Sequence, residues 1–392
     1  MKNRVLSCLL VGIAIAATAH AAPARRADPA YLASIVDEEA DPLPRTRAAH
    51  ERRAVTRPPL AWSGAPTGAP PGPVRAQTEY EASQGLMIRW GAMNSVHTAM
   101  VVPITTADPP ADVWIVVSGA AQEASARTVL TGAGADPARL HFITAESDSA
   151  WIRDYGPRFI DDAGRRSISD HVYNYAAGRP NDDRVPQAVA AQWHEAIYDL
   201  PLYHGGGNFH LFRNREAFMT RLIVDDNPGV GEQQIKDSYA LHQGLDVTLT
   251  DPFPSWYDGT QHIDMWMLPL ADEKVLIGQY GPNEGGGVPK TVTDATAALM
   301  QSRGYTVYRT TGWNSGGTHY TYTNSMILNQ LALVCQFNGY PTENAAAIAT
   351  FESALPEHEI VPIDCTGIIG LAGAIHCIVM HVPDLVFRND YD

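Results

Sequence analysis

Residues 185–208 read VPQAVAAQWHEAIYDLPLYHGGGN, a stretch in which a helical pattern, an apolar strand and a glycine-rich segment follow one another. Pro186 suits the first turn of a helix, and apolar residues then recur every four positions, which predicts a helix over residues 185–198. A short apolar run at residues 200–203 predicts a strand. Alternating helices and strands of this length predict an α/β architecture.

The same order recurs along the chain, and five polar segments each follow a predicted strand. They are centred on Asp154, Gly207, His262, Asn324 and Cys377, at separations of 53, 55, 62 and 53 residues. A near-constant period indicates repeated supersecondary units, each of which delivers its post-strand loop to the same end of the molecule. We therefore expect a pseudo-five-fold repeat that brings the five segments together.

The N-terminal residues have the features of an export signal and a linker. Residues 1–21 combine a basic start, an apolar stretch and a small-residue cleavage site, as secretory signal peptides do. Residues 22–75 are rich in Pro, Ala and Arg, which predicts a partly disordered linker. We assign residues 76–392 to one folded domain and expect a secreted or periplasmic protein. No apolar run is long enough to predict a membrane span.

The balance of charge limits the class of partner. The chain holds 28 Lys and Arg against 43 Asp and Glu, a formal net charge of −15 at pH 7. Such a surface repels phosphate backbones, which argues against nucleic acid, whereas it attracts cationic ligands such as a guanidinium group. The sequence predicts no cofactor and leaves the oligomeric state open.

Cysteine is sparse, and three cysteines follow the predicted signal peptide: Cys335, Cys365 and Cys377. An odd number in an exported protein has two interpretations. Either one thiol is functional and the other two can pair, or all three are small buried residues. The sequence leaves open whether Cys335 and Cys365 form a disulfide.

The first polar segment, residues 151–157, combines an aromatic residue with charged ones. Arg153 and Asp154 can form a purely structural ion pair. Trp151 beside Asp154 also offers a cation a stacking face and a bidentate acceptor. Both interpretations stay open at this stage.

The next two segments carry a glycine run and a His-x-Asp pair. Gly207 and Asn208 belong to either a tight turn or a close approach of backbone to a ligand. His262 and Asp264 have side chains on the same face of an extended segment. Both can ligate a metal, yet no third and fourth ligand with matching spacing accompany them, so we predict no metal and favour acid–base chemistry.

The last two segments contain an amide and a thiol. Asn324 alone is typical of a turn or a cap, and only its place in the five-fold pattern draws attention to it. Cys377 follows a run of small residues and His376. Buried cysteines are usually inert, but a histidine and cations nearby would lower the pKa of this thiol from about 8.5. We take Cys377 as the candidate nucleophile.

These segments resemble the motifs of the agmatine deiminase and bacterial-type peptidylarginine deiminase family, within the guanidino-group-modifying (pentein) enzymes. The resemblance extends from about Glu79 to Pro383. It rests on Trp-x-Arg-Asp-x-Gly-Pro at 151–157, Gly-Gly-Asn at 206–208, His-x-Asp at 262–264 and the glycine-rich loop that ends in His376-Cys377. The resemblance implies a five-bladed α/β propeller with its site on the pseudo-five-fold axis, and it makes residues 76–392 the catalytic domain.

The resemblance also implies a set of site residues. The implied nucleophile, acid/base, two guanidinium-binding carboxylates and further polar residue are Cys377, His262, Asp154, Asp264 and Asn324. The resemblance adds Trp151 as a pocket residue, and we predict Arg153, Gly207, Asn208 and Arg179 as further substrate-binding residues. No metal and no cofactor belong to this set.

The implied reaction is hydrolytic deimination of a guanidinium group through a covalent thiouronium intermediate on the cysteine. Predicted export favours peptidyl-arginine, converted to peptidyl-citrulline, over agmatine, which is a cytoplasmic precursor of putrescine; agmatine deimination is the alternative. Arg179 either binds the carboxylate of a C-terminal arginine or is an exposed loop residue.

Two other classes of protein remain as alternatives. A cysteine peptidase uses the same Cys–His chemistry but needs an oxyanion hole and no pair of guanidinium-binding carboxylates, so Asp154 and Asp264 count against it. A non-catalytic exported binding protein on the same scaffold is less compatible with an intact set of Cys377 and His262.

Overall fold

The computed structural model describes residues 22–47 and 68–384. The predicted signal peptide lies outside the described residues, as do residues 48–67 of the predicted linker and residues 385–392. The described ranges form a mixed α/β fold. Its strands, in chain order, are β1 (Val74–Ala76), β2 (Ser83–Arg89), β3 (Asp112–Val117), β4 (Leu140–Thr144), β5 (Phe159–Asp162), β6 (Arg165–Tyr173), β7 (Ala196–His204), β8 (His210–Leu211), β9 (Glu216–Thr220), β10 (Asp246–Thr250), β11 (Met267–Ala271), β12 (Lys274–Gln279), β13 (Thr306–Ser315), β14 (Thr318–Thr321), β15 (Met326–Leu328), β16 (Leu331–Gln336), β17 (Glu359–Asp364) and β18 (Met380–Pro383).

Helices connect these strands and cover them. Pro at the first turn begins several helices, where its missing N–H costs no hydrogen bond. The helices are α1 (Pro29–Ser34), α2 (Asn94–Thr106), α3 (Ala120–Gly132), α4 (Ile152–Tyr155), α5 (Val185–Trp193), α6 (Leu222–Asp226), α7 (Glu232–Gln243), α8 (Val288–Ser302), α9 (Pro341–Ala354) and α10 (Thr366–Ile369).

Within the described ranges the strands form five small sheets, ordered β1-β5-β6-β7, β8-β9-β10, β11-β12-β13-β14, β15-β16-β17 and β18-β2-β3-β4. Each sheet contains an antiparallel pair and a third strand parallel to the second. A crossover helix joins each parallel pair, as the connection of parallel strands requires. The repeat predicted from the sequence is therefore a ββαβ unit.

The fifth sheet joins the two ends of the domain. β18 pairs antiparallel with β2, so that Met380 lies opposite Met87. The second strand and the last strand of the described ranges thus complete one repeat together. The fold class is confirmed as mixed α/β with repeated sheets, and the closed five-bladed ring stays a prediction.

One helix is shorter than the sequence pattern predicts. The helix expected over residues 185–198 ends at Trp193, because His194 adopts a left-handed conformation with φ 57°. Ile197 then lies in β7, paired in parallel with β6. Strand pairing has overridden the four-residue spacing of apolar side chains, which cannot by itself distinguish a helix from a buried strand.

Residues 22–47, hereafter the N-terminal segment, pack against the domain. The sequence places them in a linker, yet they contain α1, and several make side-chain hydrogen bonds to distant residues. Asp28 caps α1 by accepting a hydrogen bond from the Ala30 N–H. A composition rich in Pro and Ala predicts little packing by itself, and the docking depends on contacts far away in sequence.

A disulfide joins Cys335 to Cys365, and Cys377 is a free, buried cysteine. Cys335 lies in β16 and Cys365 directly follows β17, its parallel neighbour. The two cysteines therefore lie at the same end of adjacent strands, an alternative that the sequence left open.

The apolar core contains large aromatic side chains, among them Trp90, Trp151 and Trp266, all fully buried. Burying a side chain of this kind contributes on the order of 1.5–3 kcal/mol. In the part of the chain that the structure describes, no helix is both long and apolar enough to cross a bilayer.

Candidate active site

The five predicted polar segments meet around one buried guanidinium group. Asp154 lies in α4 after β4, Gly207 follows β7 and His262 follows β10. Asn324 follows β14, and Cys377 lies in a 3₁₀ turn after β17 and α10. Each segment therefore comes from the loop after a strand of a different sheet, as the period of the sequence predicts. The guanidinium at their centre belongs to Arg45 of the N-terminal segment.

Both carboxylates hold this guanidinium in bidentate fashion. Arg45 Nε and Nη2 each donate to Asp154 at 2.9 Å. Nη2 and Nη1 donate to Asp264 at 2.9 and 3.1 Å. Two edges of the planar group are thus fixed by charge-assisted hydrogen bonds, which sets the plane as well as the position of the group.

The thiol and a histidine complete the contacts of the guanidinium. Cys377 Sγ lies 2.5 Å from Arg45 Nη1, and His262 Nδ1 lies 2.8 Å from Nη2. The side chains of Arg45, Asp154, Asp264 and His262 are all almost completely buried. A nucleophile, a potential proton donor and two carboxylates therefore surround one flat cation away from bulk solvent.

The carboxylates stay ionised because the cation compensates for their burial. Burial by itself raises the pKa of Asp154, but the charge of Arg45 and the hydrogen bonds that Arg45 donates outweigh burial, so its pKa is well below the usual range. Burial likewise opposes the ionisation of Asp264, and Arg45 together with His376 lowers its pKa. A neutral ligand would leave both charges buried and uncompensated, so the site is selective for a cation.

A second histidine, His376, contacts Asp264. His376 Nδ1 lies 3.0 Å from Asp264 Oδ2, and His376 Nε2 lies 3.0 Å from Glu79 Oε2. Glu79 in turn forms an ion pair with Arg153 at 2.5 Å. The chain of contacts fixes the orientation of Asp264 through groups that do not touch the guanidinium.

Opposing effects act on the pKa of the buried Cys377 thiol. Burial raises its pKa well above the usual value, and Asp264 and Asp154 raise it further, whereas the charge of Arg45 lowers it. The sulfur donates to Asn324 Oδ1 at 3.1 Å. A guanidinium beside the sulfur therefore favours formation of the thiolate, which is the reactive form.

Glycines allow the close approach of these groups. A Cβ on Gly207 would lie 1.6 Å from Arg45 Nη2, and one on Gly373 would lie 3.0 Å from Cys377 Sγ. The Gly207 N–H also donates to Asp154 Oδ1 at 2.9 Å. The glycine run is thus required for close approach of backbone to a ligand, one of the two interpretations that the sequence left open.

Two of the predicted substrate-binding residues lie outside the contacts of Arg45. Arg153 pairs with Glu79 and donates to the His376 carbonyl, which is the structural ion-pair role, although its partner is not the neighbouring aspartate. Asn208 exchanges hydrogen bonds with the backbone of Thr220 and so holds the loop. Both residues therefore shape the site without reaching the cation.

Trp151 and Arg179 contact the backbone that carries Arg45. Trp151 Nε1 donates to the Leu43 carbonyl at 2.8 Å. Arg179 Nη2 donates to the carbonyls of Pro44 and Thr46 at 2.8 and 2.9 Å, and its side chain is fully buried. Arg179 is therefore a buried residue that contacts the backbone on both sides of Arg45, and not an exposed loop residue.

Sequence reasoning assigned no role to three participants. His376 could have been found from its place beside Cys377, since a histidine next to a candidate nucleophile is a common positioning group. Glu79 and Arg45 carry no local signal, because each reaches the site from more than 70 residues away from the nearest predicted motif.

Glu79, His210 and His376 place donor atoms within 4.8 Å of one another, a spacing that a metal ion could bridge. Glu79 is already paired with Arg153, and His376 Nδ1 faces Asp264. His210 Nε2 lies 2.9 Å from the Met267 carbonyl, so each of the three residues has a protein partner, and we assign Glu79 and His376 to the support of Asp264.

Comparison with known proteins agrees with this geometry. Residues 75–383 match the model of the Porphyromonas-type peptidyl-arginine deiminase family. The agmatine deiminase of Stutzerimonas stutzeri is 23% identical over 316 residues, which cover 68% of this chain and 82% of that protein.

Two solved structures share the fold. An agmatine deiminase of C. jejuni with substrate bound is 14% identical, with a TM-score of 0.69 over 80% of this chain and 97% of that one. An agmatine deiminase of Enterococcus faecalis is 18% identical, with a TM-score of 0.68 over 80% of this chain and 96% of that one. The family match extends over most of the chain, and the chain therefore belongs to the Porphyromonas-type peptidyl-arginine deiminase family of hydrolases, which act on the C–N bonds of guanidino groups.

Proposed function

We propose that this protein hydrolyses a guanidinium group to a ureido group and ammonia through a covalent intermediate on Cys377. The observation that carries the proposal is the guanidinium of Arg45, held by Asp154 and Asp264 with the sulfur 2.5 Å from one of its nitrogens. This arrangement supplies the position and the plane that attack on the central carbon requires.

The first step is addition of the sulfur. A guanidinium lowers the pKa of Cys377 in an otherwise unfavourable setting, so substrate binding promotes the thiolate. The thiolate donates an electron pair to the guanidinium carbon, one C–N π pair moves to nitrogen, and a tetrahedral adduct forms. Both carboxylates keep their hydrogen bonds to the nitrogens throughout this step.

The second step is loss of ammonia. His262 Nδ1 lies 2.8 Å from the nitrogen that faces both carboxylates, within reach for proton transfer. Protonation of that nitrogen lets the C–N bond break, and ammonia leaves a thiouronium bound to the sulfur. Water that His262 deprotonates then attacks the same carbon, the C–S bond breaks, and the neutral ureido product no longer pairs with the carboxylates. Proton transfer of this kind accounts for about 10²–10⁴-fold of the rate.

Two substrates have separate support. The names of the relatives support agmatine, a small guanidine with no backbone. The contacts of Trp151 and Arg179 with carbonyls on either side of Arg45 support an arginine within a polypeptide. The five repeated sheets support the predicted five-bladed ring. Residues 1–21 support export, and export favours peptides over agmatine as substrates.

The test uses Arg45→Ala, hereafter the open variant, because Arg45 fills the guanidinium position. Ammonia and ureido product are measured with agmatine and with a blocked peptide that carries an internal arginine. We expect both products from at least one substrate, and none from the open variant that also carries Cys377→Ala. Absence of ammonia with every guanidine would overturn the proposal, and cleavage of the peptide backbone would identify a cysteine peptidase instead.

A further inference from the structure

The N-terminal segment reaches the active site along a series of specific contacts. The Ala24 N–H donates to Glu359 Oε2 at 3.0 Å, and Tyr31 Oη donates to the Val129 carbonyl at 3.0 Å. Trp90 Nε1 donates to Glu38 at 3.2 Å. Contacts to three separate regions of the domain fix the course of the segment before it enters the site.

At its C-terminal end the segment binds as an extended polypeptide. The Arg45 N–H donates to the Leu371 carbonyl at 2.8 Å. Trp151 and Arg179 donate to the carbonyls of residues 43, 44 and 46. Backbone groups before and after the arginine are therefore recognised by donors and an acceptor of the pocket walls, independently of the side chain.

Arg45 and an external guanidinium exclude each other. The Arg45 side chain binds both carboxylates, the histidine and the sulfur, so it fills the position that an external guanidinium would take. An external cation would also find no free carboxylate in the site, because Asp154 and Asp264 are both paired with Arg45.

We infer that residues 43–46 are an internal arginyl ligand, which closes the active site of the full chain and must leave before an external guanidine can bind. The inference deepens the proposed function, on which it rests for the identity of the competing substrate. The surface made by Trp151, Arg179 and the Leu371 carbonyl is then a subsite for the polypeptide backbone that flanks an arginine.

The internal ligand belongs to the same chain as the site, so it competes at an effective concentration and not at its bulk concentration. Such effective concentrations are typically on the order of 10⁻³ M. The apparent affinity for a competitor falls by the fraction of molecules that are open. A segment bound in more than nine-tenths of the molecules would therefore weaken agmatine binding by at least about tenfold.

Binding is measured in chains that carry Cys377→Ala, so that turnover does not interfere. Calorimetry compares agmatine binding to this chain with binding to the chain that also carries Arg45→Ala. We expect binding to be at least about tenfold tighter without Arg45. Arg25→Ala is the matched control, because it removes an exposed arginine from the same segment and should leave affinity unchanged.

A trans experiment tests the same point without relying on one substitution. A synthetic peptide of residues 41–47 should compete with agmatine for the chain without Arg45, and the same peptide with alanine in place of arginine should compete far less. Should Arg45→Ala fail to fold, Arg45→Gln takes its place in both measurements. Equal agmatine affinities with and without Arg45, or no difference between the two peptides, would overturn the inference.

The outcomes also distinguish this inference from the proposed function. If the open variant binds agmatine tightly but releases no ammonia, the internal ligand stands and the proposed reaction fails. If the full chain deiminates agmatine with the same kcat/KM as the open variant, the proposed reaction stands and the internal ligand is refuted.

Discussion

Asp264→Asn in the open variant removes one charge from the guanidinium site while keeping the shape of the side chain. Asp264 accepts two hydrogen bonds from the cation, at 2.9 and 3.1 Å, in a fully buried position. A hydrogen bond to a charged group contributes about 1.5–3 kcal/mol, and the amide retains a single acceptor oxygen, so we expect a loss of about 3 kcal/mol.

A loss of about 3 kcal/mol corresponds to a decrease of about 100-fold in kcat/KM for agmatine, at about 1.4 kcal/mol per tenfold. The assay is release of ammonia under conditions where rate is proportional to substrate. Asp294→Asn is the control, since it makes the same change at a carboxylate paired with Arg309 outside the site. A decrease of less than about threefold, which corresponds to under about 1 kcal/mol, would refute the claim that Asp264 binds the substrate cation.

Three further predictions concern the pocket floor, the disulfide and a buried acid. Gly373→Ala in the open variant should lower kcat/KM by about 100-fold, because a Cβ there would lie 2.6 Å from Trp151 and 3.0 Å from Cys377 Sγ. Gly370→Ala, whose Cβ meets no atom within 4 Å, should leave kcat/KM unchanged, and equal effects of the two substitutions would contradict this prediction. Replacing Cys335 and Cys365 by alanine should lower the free energy of unfolding by about 3–4 kcal/mol in denaturant titrations, from the 30-residue loop that the disulfide closes, and an unchanged midpoint would be inconsistent with that loop. Burial and two nearby aspartates raise the pKa of Asp170 from 3.8 to about 8. Its stabilising contribution is therefore complete below about pH 4 and is lost as the pH rises through about 8. Asp170→Asn should make the free energy of unfolding less dependent on pH between these values, and an unaltered pH profile would contradict the raised pKa.

The sequence predicts the repeated α/β architecture because the period of the polar segments follows from the ββαβ unit itself. Each segment lies in the connection that follows a strand, and the five connections meet at one site. Asp154, His262, Asp264 and Cys377 were therefore predicted to meet, and the structure brings them to one guanidinium.

The remaining site features depend on contacts that no local pattern encodes. Arg45 lies in a run rich in Pro and Arg, and its place in the site is set by backbone hydrogen bonds to residues more than 100 positions away. Glu79 reaches the site only because His376 and Arg153 face it across the fold. Arg153 was predicted to bind substrate, but its side chain extends to Glu79, whereas the neighbouring Asp154 binds the guanidinium.

The central claim is that the sulfur of Cys377 attacks the guanidinium carbon, and trapping of the adduct tests it most directly. The open variant, with His262 intact, is mixed with excess agmatine, stopped with acid during turnover and mapped by peptide mass spectrometry. Acid stops hydrolysis of the intermediate, so we predict a thiouronium adduct on the peptide that contains Cys377. Ureido product formed without any adduct on this cysteine, or an adduct on another residue, would contradict the account.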